Sequence, residues 1–99
     1  MALLDDYDFE LLKNEAEVMV LKELNRQLEN YSGEKLCLCN ECVVDMAAIA
    51  LNSIKPLYRF SLLGSLYAAR IMDEEDYAEG IRGAVANAIE KVRLNPSHD

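Results

Sequence analysis

The apolar positions of this chain recur with different periods in different stretches, and those periods predict its elements. Val18, Leu21, Leu24 and Leu28 return every three or four residues, while Lys22, Glu23, Arg26 and Glu29 take the other side. This is an amphipathic helix of roughly four turns. Asn14-Glu-Ala-Glu17 introduces it as a capping box, with Asn14 as N-cap and Glu17 at the third helical position. Tyr31-Ser-Gly33 stops it, Gly33 being suited to a left-handed turn.

The stretch from Val43 to Leu51 is apolar on nearly every side, broken only by Asp45. A helix of that kind must be covered on more than one face, and in a chain this small the second cover points to another subunit. Glu41 and Asp45 fall in its first turn, where negative charge suits the helix dipole, and Asn52 and Pro56 end it. Leu36 to Cys42 is a tight loop before it. Asp73-Glu-Glu-Asp76 opens a last helix carried by Tyr77, Ile81, Val85, Ala88 and Val92. Gly80, Gly83, Ala84 and Ala86 keep it slim, which would allow another helix to approach closely. Asn95-Pro96 stops it.

Two stretches are ambiguous. Leu57 to Phe60 and Ser65 to Tyr67 read as two short strands around Gly64, but Leu66 to Met72 reads equally well as helix. Residues 2–12 interleave acids with Leu3, Leu4, Tyr7, Phe9, Leu11 and Leu12, with Asp5 or Asp6 able to cap a short helix. They form an arm that packs on the body or on a partner. The expected fold is therefore mainly α, a compact single-domain helical bundle with at most one short strand pair. It divides into an acidic arm over residues 1–13, a domain over 14–96 and a tail over 97–99.

Length and composition narrow the function. Ninety-nine residues hold one modest core, which a metal or a second subunit would support. The formal net charge of −8 excludes a general DNA or RNA binder and disfavours an anionic membrane surface. The N-terminal residues do not read as a signal peptide, and no segment has the apolar length to span a bilayer. The expected compartment is the cytoplasm. The acids are unevenly placed, however. Between Met46 and Met72 there is no Asp or Glu, yet the stretch contains Lys55, Arg59 and Arg70. Such a segment could hold a small anion, with Tyr58, Phe60 and Tyr67 available to stack on a base. The plainer alternative is core residues flanked by snorkelling bases.

All three cysteines lie within six residues, in Cys37-Leu-Cys39-Asn-Glu-Cys42. Short spacings let one turn aim several sulfurs at one ion, and thiolates select zinc or an iron–sulfur cluster. Zinc wants a fourth ligand. His98 is the best remaining one, with Asp45, Glu41, water or a second chain as lesser options. A clasp between this loop and the tail would stabilise a small domain. The alternatives are buried cysteines or a thiol redox pair, but Cys39-Asn-Glu-Cys42 lacks the parallel-sheet context of redox motifs. One histidine, no glycine-rich phosphate loop and no triad pattern argue against an enzyme.

The residues Asn14-X-X-Glu17, Cys37-X-Cys39-X-X-Cys42, Asp45, Ala48, Leu51-Asn52, Pro56 and Tyr58 together resemble the late-competence ComFB family. The resemblance covers roughly residues 14–96. It implies a compact, largely helical homodimer without enzyme activity, and zinc on Cys37, Cys39 and Cys42. Cysteine-bearing members can use a further cysteine near the C-terminus, and here His98 is the natural substitute. In members that lack the cysteines, the family also resembles a set of cyclic dinucleotide receptors, for cyclic di-GMP or cyclic di-AMP. That implies a nucleotide site on Lys55, Tyr58, Arg59, Ser61 and Arg70, passing a signal to an unknown protein partner. The alternative is a structural or adaptor protein of the competence or motility type, whose zinc and dimer serve folding and protein contacts.

Overall fold

The polar and apolar pattern of three long segments produces a three-helix core in the computed structural model, which describes residues 2–96. Among these residues the order is α1 (Leu3–Asp6), a 3-10 turn (Phe9–Leu11), β1 (Lys13–Asn14), α2 (Glu15–Glu29), α3 (Asn40–Asn52), β2 (Tyr58–Arg59), α4 (Leu62–Met72) and α5 (Glu75–Leu94). Val20 and Leu24 of α2, Cys42, Met46 and Ala50 of α3, and Ile81, Val85, Ala88, Ile89 and Val92 of α5 form one buried cluster. Spacings of three and four put each set on a single helix face. On α2 the buried stripe is Ala16, Val20 and Leu24, whereas Val18 and Leu21, expected to be inward, lie outside it and are exposed.

β1 and β2 pair antiparallel, Lys13 with Arg59 and Asn14 with Tyr58. This corrects the expected strand pair around Gly64. Gly64 lies in the first turn of α4, where Ser61 caps the helix by accepting a hydrogen bond from the Gly64 N–H at 3.1 Å. The partner strand comes instead from the start of the domain.

Asn14 holds this junction together. Its Oδ1 accepts from the N–H of Ala16 at 3.2 Å and of Leu57 at 2.8 Å, and the Glu15 N–H donates to the Leu57 carbonyl at 2.8 Å. The capping box is thus half formed: Asn14 caps α2, but Glu17 makes no reciprocal bond among the described residues. Asn14→Ala removes a cap and strands the N–H of buried Leu57, so a loss of about 2 kcal/mol is expected in thermal or denaturant unfolding.

Other expectations change too. Gly33 has no left-handed backbone, since no described glycine has positive φ. A Cβ there would instead lie 3.0 Å from the Tyr31 hydroxyl oxygen. A Cβ at Gly80 would meet only Ile54 Cδ1, at 3.8 Å, and one at Gly83 would meet nothing within 4 Å, so no other described element approaches α5 closely there. Asp5 and Asp6 lie inside α1, which begins after Ala2, and it is Asp8 that caps, accepting from the Glu10 N–H at 3.0 Å. α3 starts at Asn40, so Cys42 belongs to the helix rather than to the loop.

The molecule is also less compact than a bundle of its length. Its radius of gyration is 15.8 Å and its extents are 49 × 34 × 18 Å. A folded domain of about 100 residues is nearer ~13 Å. The excess has a physical source in the arm and α4, which lie outside the three-helix core. α4 buries only Ala68, and the arm has no buried residue.

Candidate metal centre and nucleotide-facing surface

The cysteine loop is held against the end of α5. Leu36, Cys37 and Cys39 pack on the core, and Arg93, near the last turn of α5, reaches Glu34 at 2.7 Å as well as Glu90. Hydrogen bonding to Glu90, followed by the charges of both carboxylates, raises the already high pKa of the Arg93 guanidinium. Cys39 is the N-cap of α3. Its backbone is extended, and its Sγ accepts from the Cys42 N–H at 3.4 Å. The positive end of the α3 dipole therefore lies beside a sulfur, where it favours negative charge.

The three Sγ atoms lie within 4.8 Å of one another, with Cys37 and Cys39 half-buried and Cys42 buried. Tetrahedral zinc with Zn–S bonds of about 2.3 Å needs sulfurs roughly 3.8 Å apart. The three donors fit such an ion with only a small closure, and they leave one corner open. His98, expected to fill that corner, lies outside the described residues. Among the described residues no other His, Cys, Asp or Glu joins the cluster.

The expected nucleotide residues are spread along the acid-free stretch. Lys55 is exposed, and its carbonyl accepts from the Tyr77 hydroxyl at 2.8 Å. Burial pushes the Tyr77 hydroxyl above its ordinary pKa, which keeps it a donor. Tyr58 and Arg59 are neighbours on β2, so their side chains leave opposite faces of the ribbon. Tyr58 is exposed, while Arg59 is half-buried and ion-paired through Nε to Glu15. Ser61 caps α4, and Arg70 is exposed about 13.5 Å further along that helix by its rise per residue. One chain thus places Tyr58, Arg59 and Ser61 within four residues, with Tyr58 and Arg59 on opposite faces of the ribbon, and does not bring Arg70 beside them.

A cleft of about 320 Å³ lies on the Arg59 side, lined by Leu12, Lys13, Asn14, Glu15, Glu17, Val18 and Arg59. Glu15 and Glu17 were legible only as helix-start residues. The signal that would have placed them beside Arg59 is the pairing of Lys13 with Arg59 across 46 residues of sequence.

A family model described as late competence development protein ComFB matches residues 13–96. Among solved structures, the late competence protein ComFB from Bacillus subtilis aligns with a TM-score of 0.68 and 23% identity, covering 87% of this chain and 92% of that one. No curated protein matches significantly. Among the described residues, no helix is long and apolar enough to cross a membrane.

Proposed function

The chain belongs to the late competence development protein ComFB family, and on that premise we propose that it is a non-enzymatic regulatory protein, a zinc-stabilised homodimer that binds a cyclic dinucleotide second messenger. The observation that carries the reading is the β2–α4 junction. Within four residues it presents an exposed Tyr58 ring, the Arg59 guanidinium and the Ser61-capped start of an eleven-residue helix with no acid in its first turn. An aromatic face suits a base, a guanidinium fork suits a base edge or a phosphate, and free N–H groups at a helix start suit a phosphate. In a protein of net charge −8, a segment without acids from Met46 to Met72 is a local exception, although Glu15 and Glu17 of α2 come in beside Arg59.

The exposed apolar surface of α4 adjoins this junction. A two-fold interface there would set two copies of the junction side by side, matching a ligand with two equivalent nucleotide halves. Arg70, remote from Ser61 within one chain, would then serve the site from the second copy, with Lys55 as a point charge. For the metal, Cys37, Cys39 and Cys42 would hold zinc and supply folding energy. The Arg93–Glu34 pair ties the end of α5 to the segment just before the cysteine loop, and His98 would be the fourth ligand.

Calorimetric titration of the metal-loaded protein with cyclic di-GMP and cyclic di-AMP tests the receptor reading. Saturation at one ligand per dimer is expected. Arg59→Ala is expected to weaken that binding at least tenfold while circular dichroism stays unchanged. Absence of heat with either nucleotide, on a folded and metal-loaded protein, would sink the receptor reading.

A further inference from the structure

Resting on the receptor reading, we infer that the Lys13–Glu17–Arg59 cleft is a base-recognition pocket that selects guanine over adenine, and that Glu17 is its specificity-determining residue. The argument begins with charge. The cleft contains two bases, Lys13 and Arg59, and two acids, Glu15 and Glu17. It is formally neutral, and its carboxylates would repel a phosphate. An uncharged ring edge that both donates and accepts hydrogen bonds meets no such penalty.

The groups are placed for such an edge. Glu15 takes the Nε of Arg59, and among the described residues both Nη groups of that guanidinium make no hydrogen bond. Glu17 likewise makes no hydrogen bond or ion pair among the described residues, although its position at the third residue of α2 is that of a capping-box acid. Asn14 Oδ1 accepts from Ala16 and Leu57, so Asn14 caps α2 while the reciprocal bond to Glu17 is not made among the described residues. The cleft thus combines an available carboxylate with a guanidinium whose position Glu15 fixes. Leu12 and Val18 supply apolar lining for a ring, and about 320 Å³ has room for one purine.

Guanine matches this set. Its O6 and N7 accept from an arginine fork, and its N1–H and N2–H groups donate to a carboxylate. Adenine fails at both points: it presents an amino group where the fork needs an acceptor and a ring nitrogen lone pair where Glu17 needs a donor. Mismatched polar groups in a partly enclosed cleft are left unpaired, which makes discrimination large. The tyrosine at position 58 leaves the opposite face of β2, so this base rests on Leu12 and Val18 rather than on that ring.

The test uses the full, metal-loaded chain, wild type and Glu17→Gln, with cyclic di-GMP and cyclic di-AMP in calorimetry. GMP and AMP are added to isotope-labelled protein in amide-resolved NMR. Glu17 is exposed on α2, so the variant folds, and circular dichroism checks this. The wild type is expected to prefer cyclic di-GMP by about tenfold or more. Glu17→Gln should bring that ratio close to one, and GMP but not AMP should shift the amides of residues 13–18 and 59. A variant that keeps full affinity and preference for cyclic di-GMP overturns the pocket and leaves the receptor reading standing. So does a wild type that prefers cyclic di-AMP. If neither cyclic dinucleotide binds but GMP shifts those amides in a Glu17-dependent way, the pocket stands and the receptor reading falls. If no nucleotide shifts them and neither cyclic dinucleotide binds, both fall.

Discussion

Cys39→Ser is expected to release the metal and lower the melting temperature by roughly 10–20 °C, the equivalent of about 2–4 kcal/mol in a domain of this size. Three sulfurs within 4.8 Å could hold one ion only while all three are present, because two thiolates and an open loop cannot replace the lost bond. Cys39 is the informative position. It is half-buried, so serine there costs little packing, and as an N-cap serine serves as well as cysteine. Cys42→Ser would also lose the metal, but Cys42 is 0% exposed within the core cluster and its loss mixes in a buried hydroxyl. A chelator on the wild type should therefore reproduce the Cys39→Ser shift and have no further effect on the variant. Because the ligands must be deprotonated, metal affinity should fall as pH falls. Reduced, chelator-free protein that contains no stoichiometric metal would overturn the prediction.

The cysteine cluster that could hold a metal was legible because it is local. Cys37, Cys39 and Cys42 need no tertiary contact to share an ion, only a turn. α2 and α5 were legible for a related reason: each buries one face, and that leaves a period in the sequence, although on α2 Val18 and Leu21 lie off that face; α3 was legible instead as a nearly unbroken apolar run. α4 left no such period. Leu62, Leu63, Leu66 and Tyr67 are all exposed and only Ala68 is buried, so its apolar residues do not mark a face toward its own core. The same absence made residues 57–67 look like strands. The β1–β2 pair was invisible because two residues on each side carry no alternation and their partners are distant in sequence. The cleft around Arg59 inherits that difficulty, since Glu15 and Glu17 meet Arg59 only through the pairing. Glu17 misled in a second way. Its spacing from Asn14 fits a capping box, but a long-range bond from Leu57 to Asn14 helps complete the junction without it.

What hid α4 from the sequence also predicts its partner. Leu66→Glu is expected to convert a homodimer to folded monomers, raising the dissociation constant about 100-fold or more. Leu62, Leu63 and Leu66 are 78%, 77% and 60% exposed, and Phe60 just before the helix is 65% exposed. Leu62 with Leu66, and Leu63 with Tyr67, stand one turn apart and form a continuous apolar patch. An isolated helix of eleven residues is marginal in water, and exposing several leucines forgoes about 1.5–3 kcal/mol each that burial would contribute. The chain also supplies a complementary surface. An apolar cleft of about 370 Å³ is lined by Tyr7, Asp8, Phe9, Leu11, Leu12 and Phe60, directly beside the start of α4. In a two-fold interface each copy would both offer the α4 patch and receive its partner's in this cleft. Charge is compatible, because the arm carries Asp5, Asp6, Asp8 and Glu10 and the segment from Met46 to Met72 carries Lys55 and Arg70 and no acid, so in a two-fold pair the arm of one copy would meet the bases of the other. A glutamate at position 66 would put an unpaired carboxylate into the interface from each copy, at a cost of several kcal/mol. Sedimentation velocity over a dilution series should show the wild type at twice the 11.2 kDa of the chain and Leu66→Glu at once that mass, with unchanged helicity. A wild type that sediments as a monomer at every concentration would remove the interface, and with it the contribution of Arg70 to a shared nucleotide site.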